Sequence, residues 1–465
     1  MVLPDGPKTP GWLQTLQWNV DCIEYAETAA QRYGDIFTGK FWFNAEPAVV
    51  IGNPQAVEQI FTKLTQHFDP FIGESRDLIR PLVGDYSLLT LQDRNQYQRH
   101  RKLLMPHFHG ERLQSYGQKI CQVTKEVMQE LTPGTTFDAC AVMGDISMES
   151  MFRVVFGLEK GSTSSRLKQL FIDLLDYITS PGKGIFMYLP FLQKDLGPWS
   201  PWGYFKRIKA EIDLVLYQEI AHRRQNLDSD KDDILTMLLT ARDEEGQPMT
   251  DEELHSELLT FLTSGYKPIA MAVAWALYWV HRTPPVCHQL IDHLTQLGEN
   301  PNAMSLAQHP YLKAVCQETM RINPIVPIIS PQKVKSPVEV MGYQLEPGWI
   351  VIPCNYLIHH REDLYPEHDQ FKPERFLERD YSAYEYVPFG PGMRRCLGSE
   401  FAYFEMKLVL GTILSDYDLE LVDPRPLKPK VKGFVVAPDR GVQMVLKGRK
   451  GQGSGQSLTS EALVN

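Results

Sequence analysis

The stretch from Thr250 to Arg282 constrains this chain most. Thr250-Asp251-Glu252-Glu253 has the form of a capping box, with Thr250 as N-cap and Glu253 three residues on. Helical spacing of apolar residues continues to about Arg282, roughly 32 residues and about 48 Å at 1.5 Å each. A helix so long and so apolar belongs in a core and needs a large body packed around it. With 465 residues, 43% of them apolar, the chain can supply that body. Helical periodicity dominates from about Asn53 to Arg282. Strand signals cluster at Phe37 to Phe43 and Ala48 to Ile51. They return at Val338 to Val340 and Trp349 to Ile352, with Glu346-Pro347-Gly348 as the turn between. Short strand-like segments then run to about Lys447. The expected fold class is mainly α with small β-sheets (α+β), in a single domain over residues 1–450. Residues 451–465, opened by Gly451, Gly453, Ser454 and Gly455, read as a disordered tail.

Charge and cysteine usage narrow the function. A net charge of −10 argues against nucleic acid as a partner. Seven scattered cysteines, an odd number without Cys-x-x-Cys, argue against a disulfide framework and for a reducing, cytoplasmic setting. Met1 to Pro10 lacks the layout of a signal peptide. No run reaches the roughly 18 uninterrupted apolar residues of a span, so no transmembrane anchor is expected. A soluble, monomeric protein is expected.

The chemistry concentrates at Cys396. It lies in Phe389-Gly390-Pro391-Gly392-Met393-Arg394-Arg395-Cys396-Leu397-Gly398. The glycines let backbone approach a flat or bulky group. The arginines favour thiolate over thiol and suit carboxylates. Leu397 to Leu414 reads as a helix, with Phe401, Phe404, Leu408 and Ile413 on or near one face. That puts Cys396 at a helix N-terminus, where the macrodipole also favours S⁻.

Phe389, Gly392, Arg394, Cys396 and Gly398 fill every fixed position of Phe-x-x-Gly-x-Arg-x-Cys-x-Gly. This resembles the haem-binding loop of the cytochrome P-450 superfamily, and the resemblance runs from about Leu3 to Lys447. It looks nearest to the soluble cyanobacterial branch, whose members are linked to fatty-acid, alkane or terpenoid oxidation. The resemblance implies the P-450 fold, with the long helix crossing the distal face of a haem b (iron protoporphyrin IX). Cys396 is then the axial metal ligand. Phe389 shields its sulfur, Arg394 pairs with a propionate, and Gly398 lets the next helix approach the porphyrin. Tyr97-x-x-x-Arg101 stands where the family has a propionate-binding His/Trp-x-x-x-Arg, and Gln332 where an arginine is frequent. Glu318 and Arg321, three apart on one helix, with Arg375, match the family's structural Glu-x-x-Arg and its third member.

The distal helix departs from that pattern. The family signature there is Ala/Gly-Gly-x-acid-Thr; this chain has Ser264-Gly265-Tyr266-Lys267-Pro268. Gly265 matches, Lys267 replaces the acid, and Pro268 replaces the threonine of the family's proton relay. Pro268 cannot bond the Ser264 carbonyl, so a kink is expected. Lys267-Pro268 resembles the Arg-Pro pair of bacterial fatty-acid peroxygenases, in which the cation holds a substrate carboxylate. Three readings therefore stand: a haem-thiolate monooxygenase hydroxylating an apolar substrate; a peroxide-using or rearranging enzyme with Lys267 as carboxylate anchor; and a haem- or lipid-binding paralogue without turnover. Ser264, Ile325, Val326 and Ile328 are expected to line the substrate pocket, and the apolar run Ile185 to Leu192 to lie near its entrance or pack in the core. Arg94, Arg99, Arg101 and Lys102 form a basic strip suited to an acidic ferredoxin served by its reductase, or simply a solvated helix face.

Overall fold

The long helix anticipated from the capping box forms over the expected span. In this computed structural model it is Asp251–Arg282, unbroken through Pro268. Both halves of the capping box are made. The Glu253 amide donates to Thr250 Oγ1 (3.2 Å), and the Thr250 amide donates to Glu253 Oε2 (2.9 Å). The structure describes residues 3–450 apart from 42–45, 71–78, 109, 111, 159–161, 181–183, 188–191, 229–230, 299 and 434. The expected tail 451–465, the end of the strand at Phe43, and Tyr188 to Phe191 lie outside these.

The helices that build the site are α1 (Arg94–Leu104), α2 (Arg112–Gln129), α3 (Ala139–Phe156), α4 (Ser162–Thr179), α5 (Pro201–Gln225), α6 (Asp251–Arg282), α7 (Pro310–Ile322) and α8 (Ser399–Asp416). The strands are β1 (Ile36–Gly39), β2 (Ala48–Ile51), β3 (Phe68–Pro70), β4 (Thr136–Asp138), β5 (Gln332–Val334), β6 (Val338–Val340), β7 (Tyr343–Leu345), β8 (Ile350–Pro353), β9 (Tyr417–Leu421), β10 (Pro429–Lys432), β11 (Val435–Pro438) and β12 (Gln443–Arg449). The main sheet has the order β1-β2-β8-β5-β3. Only β2 and β8 in it are parallel, with Ala48 opposite Ile350. Smaller sheets are β4-β12-β9, β10-β11 and β6-β7. The fold is α+β, as expected.

α6 runs through the main core, where Trp275, Ala274, Ala276 and Leu277 are fully buried. It packs along α3, and also against α8 and α7. Gly265 belongs to the first of these crossings. A Cβ there would lie 2.6 Å from Met151 Cε of α3. Gly265, the one match to the family signature on this helix, is thus also a packing position. The apolar run near residue 185 also resolves towards packing, since Phe186 and Met187 are buried in the core.

One turn differs from expectation. β6 pairs with β7 through Met341-Gly342, both at positive φ (49° and 83°), the type I′ geometry that matches strand twist. Pro347-Gly348 then leads β7 into β8. A methionine carries no turn signal, so β7 was not visible in the sequence.

Glu405 of α8 has no exposed surface, and neither carboxyl oxygen finds a hydrogen-bond partner among the described residues. Burial lifts its pKa from 4.5 to about 8, with the nearby Ser147 hydroxyl of α3 opposing weakly. Unfolding frees Glu405 to ionise. This group's contribution is therefore full below pH 4.5 and falls as pH rises towards 8. Glu405→Gln should remove that fall. The thermal midpoint of the variant is expected to equal the wild type's near pH 5 and exceed it increasingly up to pH 8, on the order of 1 kcal/mol per pH unit. Parallel pH profiles of the two proteins would refute it.

Candidate functional site

The loop before α8 is a tight turn closed on itself. Gly390 and Gly392 both sit at positive φ (76° and 72°), and a Cβ on Gly392 would lie 2.8 Å from the Phe61 ring. The Cys396 amide donates to the Phe389 carbonyl (2.9 Å), and the Phe389 ring packs edge-on against Tyr403 of α8, 5.2 Å between centroids. α8 starts later than expected, at Ser399 with Gly398 as N-cap, so Cys396 precedes the helix instead of opening it. The Cys396 amide is spent on the turn, and helical geometry begins only after the glycine. A Cβ on Gly398 would meet nothing within 4 Å, so no protein atom explains a glycine there.

Of the seven cysteines only Cys396 is exposed. Its surface opens on a cavity of about 410 Å³, lined among others by Arg101, Met105, Leu113, Arg395 and Glu400. A larger cavity of about 860 Å³, between α2 and residues 301–304, contains none of these groups. Protein still packs closely around the thiol: burial raises its pKa above 9.0, and the Gly398 amide, Arg101 and Arg395 oppose this. The cations expected to favour thiolate thus act, but Arg101 and Arg395 supply the field at sulfur, and burial outweighs them.

Arg394 points elsewhere. Its Nη1 and Nη2 donate to the carbonyls of Leu88 (3.2 Å) and Leu91 (2.6 Å), and its guanidinium lies 4.3 Å from the centre of the Tyr97 ring. Its buried Nε has no partner among the described residues, and burial pulls its pKa below the ordinary arginine value. A buried guanidinium with an orphaned N–H and no carboxylate among the described residues fits an anionic group supplied from outside the chain. Tyr97 donates to the Met393 carbonyl (3.3 Å), and Arg101 Nη1 to that of Arg395 (2.8 Å). Gln332 turns its amide onto the carbonyls of Ser330 (2.8 Å) and Pro331 (3.1 Å). The donor set, a cysteine sulfur open to a cavity and flanked by arginines, fits a haem with its two carboxylates.

The scaffold below the loop is made as expected. Arg321 holds Glu318 in bidentate fashion (2.7 and 2.9 Å), and Arg375 Nε adds a third bond (3.2 Å). Glu318 and Arg321 have no exposed surface. Sequence reasoning missed the link onward. Arg321 Nη1 donates to the His359 carbonyl (2.8 Å), and the His359 ring accepts the Val387 amide through Nε2 (2.9 Å). Burial, Arg321 and His360 push His359 far below 6.5, so its ring is neutral and able to accept. Nothing in the local sequence marks His359 for this role.

Other expected residues are redistributed. Val326 is exposed, whereas Ile325 is 3% exposed, sits in the main core and accepts the Val436 amide through its carbonyl (2.8 Å); Ile328 packs beside the β1-β2-β8 strands. The basic strip is largely spent on internal pairing. Arg99 binds Asp243 (2.6 Å) and Glu253 (2.9 Å), and Lys102 pairs with Glu244. Beside them, His100 Nδ1 lies 2.8 Å from Glu257 Oε1 of α6 and Nε2 lies 3.2 Å from Glu253. Burial alone would lower His100, but the two carboxylates lift it from 6.5 to about 9. On α6 Ser264 is exposed although most of the helix is buried. Lys267 is half-buried without an ion pair among the described residues. Burial lowers its pKa, opposed by Asp176 of α4 and aided by Lys432 of β10.

A helical body with small sheets, carrying a cysteine loop built to take a haem, defines the haem-thiolate class. The family profile described as Cytochrome P450 matches residues 4–444. The chain belongs to the cytochrome P450 family. It is 29% identical over 462 residues to cytochrome P450 135B1 of Mycobacterium tuberculosis, covering 99% of this chain and 95% of that one. It is 27% identical over 449 residues to cytochrome P450 138 of Mycobacterium bovis, covering 96% and 97%. Among solved structures, the retinoic-acid-bound cyanobacterial CYP120A1 shares the fold with a TM-score of 0.81 at 24% identity, covering 96% of this chain and 99% of that one.

Removing one member of a buried ion cluster leaves the others uncompensated. Glu318→Ala should cost roughly 3–5 kcal/mol, read as loss of folded, haem-loaded protein and a lower thermal midpoint. A midpoint unchanged within error would contradict the scaffold role.

Proposed function

We propose that this P450 is a monooxygenase that inserts oxygen into an apolar small molecule, such as a fatty acid, alkane or terpenoid. It would act as one cytoplasmic domain carrying haem b and take electrons from a ferredoxin and its reductase. The observation that carries this reading is Cys396, the one exposed cysteine, opening on a cavity rimmed by Arg101 and Arg395. A haem bound there supplies the oxygen chemistry, and a thiolate ligand favours cleavage of the O–O bond.

The chain's own residues then divide the work. Cys396 ligates, with Phe389 and Tyr403 packed behind the loop. Arg394 offers its free Nε to one haem carboxylate, and Arg101 stands at the cavity rim for the other. On the distal helix Pro268 has no hydroxyl, and Thr263 spends its own on the Leu259 carbonyl (2.6 Å). Of the remaining hydroxyls on that stretch, that of Tyr266 belongs to a buried side chain, and Ser264, exposed and one turn before Pro268, holds a proton-carrying water. Val326 presents apolar surface to substrate.

A second reading follows from Lys267. A half-buried ammonium without an ion pair among the described residues favours an anion nearby. A fatty-acid carboxylate meets that need, and peroxide then replaces dioxygen and the electron donor.

Two measurements separate these. Reduced protein with carbon monoxide should show the thiolate Soret band, and Cys396→Ala should abolish it; a variant that keeps the band would remove the ligand assignment. Fatty-acid titration of the Soret band in wild type and Lys267→Ala should show at least a roughly tenfold weaker affinity in the variant if Lys267 anchors the carboxylate, about the 1.4 kcal/mol of one charge-assisted bond. Equal affinities, together with turnover strictly dependent on reduced ferredoxin, leave the monooxygenase reading alone.

A further inference from the structure

Residues 84–91 form a strap between the distal helix and the cysteine loop. On one side it is fixed to α6. The Leu88 amide donates to Glu257 Oε1 (3.1 Å), and the Ser87 and Thr260 hydroxyls are 2.6 Å apart. Gly84, at φ 87°, leaves no room for a Cβ, which would lie 2.6 Å from Ser256 Oγ. On the other side the strap's carbonyls at Leu88 and Leu91 hold Arg394. Internally Thr90 Oγ1 ties back to the Gly84 carbonyl (2.8 Å), and Ser87, Thr90 and Leu91 are buried. Leu88 is the joint, since its amide is held by Glu257 and its carbonyl by Arg394.

Glu257 is a costly way to make that joint. It has no exposed surface, its Oε1 is shared by Leu88 and His100, and its Oε2 is without a partner among the described residues. A buried carboxylate destabilises unless it is well paired, and a neutral side chain of that volume is often no worse for stability. Its position therefore asks for a role beyond holding the fold.

We propose that Glu257 is a positioning residue for haem binding, acting through Leu88 and the strap to aim Arg394 at the haem carboxylate. Replacing the Glu257 carboxyl by an amide weakens the acceptor shared by the Leu88 amide and His100, so the Leu88 peptide shifts, and the guanidinium that bonds its carbonyl shifts with it. The expected consequence is faster loss of haem. Partners that orient a ligating group commonly change affinity by roughly 10–100-fold.

The test is a double-mutant cycle on holoprotein, reading haem transfer to excess apomyoglobin for Glu257→Gln, Arg394→Lys and the pair. The reduced carbon-monoxide spectrum of each protein is recorded first, so a failure of thiolate ligation is seen apart from a failure of the relay. Glu257→Gln alone should lose haem roughly tenfold faster. In the Arg394→Lys background it should add less than about twofold, because coupled residues are not additive. Multiplicative effects, or an unchanged rate in Glu257→Gln, overturn the proposal. If Glu257→Gln does not accumulate, Thr260→Val loosens the same strap without touching a charge, and the same non-additivity with Arg394→Lys decides. Amide exchange should rise over residues 84–91 and not in α7; a uniform rise across the core would mean general destabilisation and overturn it as well.

Discussion

Glu318 has no exposed surface and is answered by two cations, and the proximal half of this protein is organised around that cluster. Arg321 and Arg375 close on it, and the Lys372 amide adds a fourth bond (2.9 Å). From Arg321 the constraint passes to the His359 carbonyl, from the His359 ring to the Val387 amide, and so to the turn in which Phe389 accepts from Cys396. The cysteine is thus held by a chain of buried hydrogen bonds that starts at an ion cluster in α7. In a low-dielectric interior such links are individually strong, and leaving any one unmade is costly.

The distal half is organised differently. α6 is held by apolar packing along most of its length, and its ion pairs among the described residues lie near its N-terminal end, where Glu253 and Glu257 meet Arg99 and His100 and Thr260 meets the strap. Further along, where the family carries an acid and an alcohol, this chain has a lysine and a proline. The two halves therefore constrain function unequally. The cysteine loop fills every fixed position of the family pattern, while on the distal helix Ser264 is exposed and Lys267 half-buried without an ion pair among the described residues.

Much of the fold was legible. The capping box fixed where α6 starts and the apolar spacing gave about where it ends, because helix periodicity and capping are local signals. β2 and β6 were equally plain. β7 was hidden by a turn whose first central residue is methionine, and β3 and β4 are three-residue strands that exist only through pairing. The basic strip read from consecutive residues dissolved, because Arg99 turns inward to Asp243 and Glu253, which lie far along the chain. Ile325 and Val326 are neighbours in sequence, yet the first packs into the main core, where its carbonyl also receives the β11 amide, and the second is exposed.

By itself the sequence determined the chemistry that residue type and short spacing can carry: the cysteine loop, the Glu318/Arg321 pair one helical turn apart, the long core helix, and the lysine and proline at 267 and 268 on it. Tertiary structure alone decided which way each charged group faces. It turned Arg394 onto the Leu88 and Leu91 carbonyls, left Arg101 and Arg395 to supply the field at sulfur, made a hydrogen-bond relay of His359, and put Glu257 beneath the strap. The reason is range. Periodicity and capping act within a few residues, whereas desolvation and charge pairing depend on groups brought together across 150 to 300 residues of chain, as the Leu88–Glu257 and Arg394–Leu88 bonds show with separations of 169 and 306.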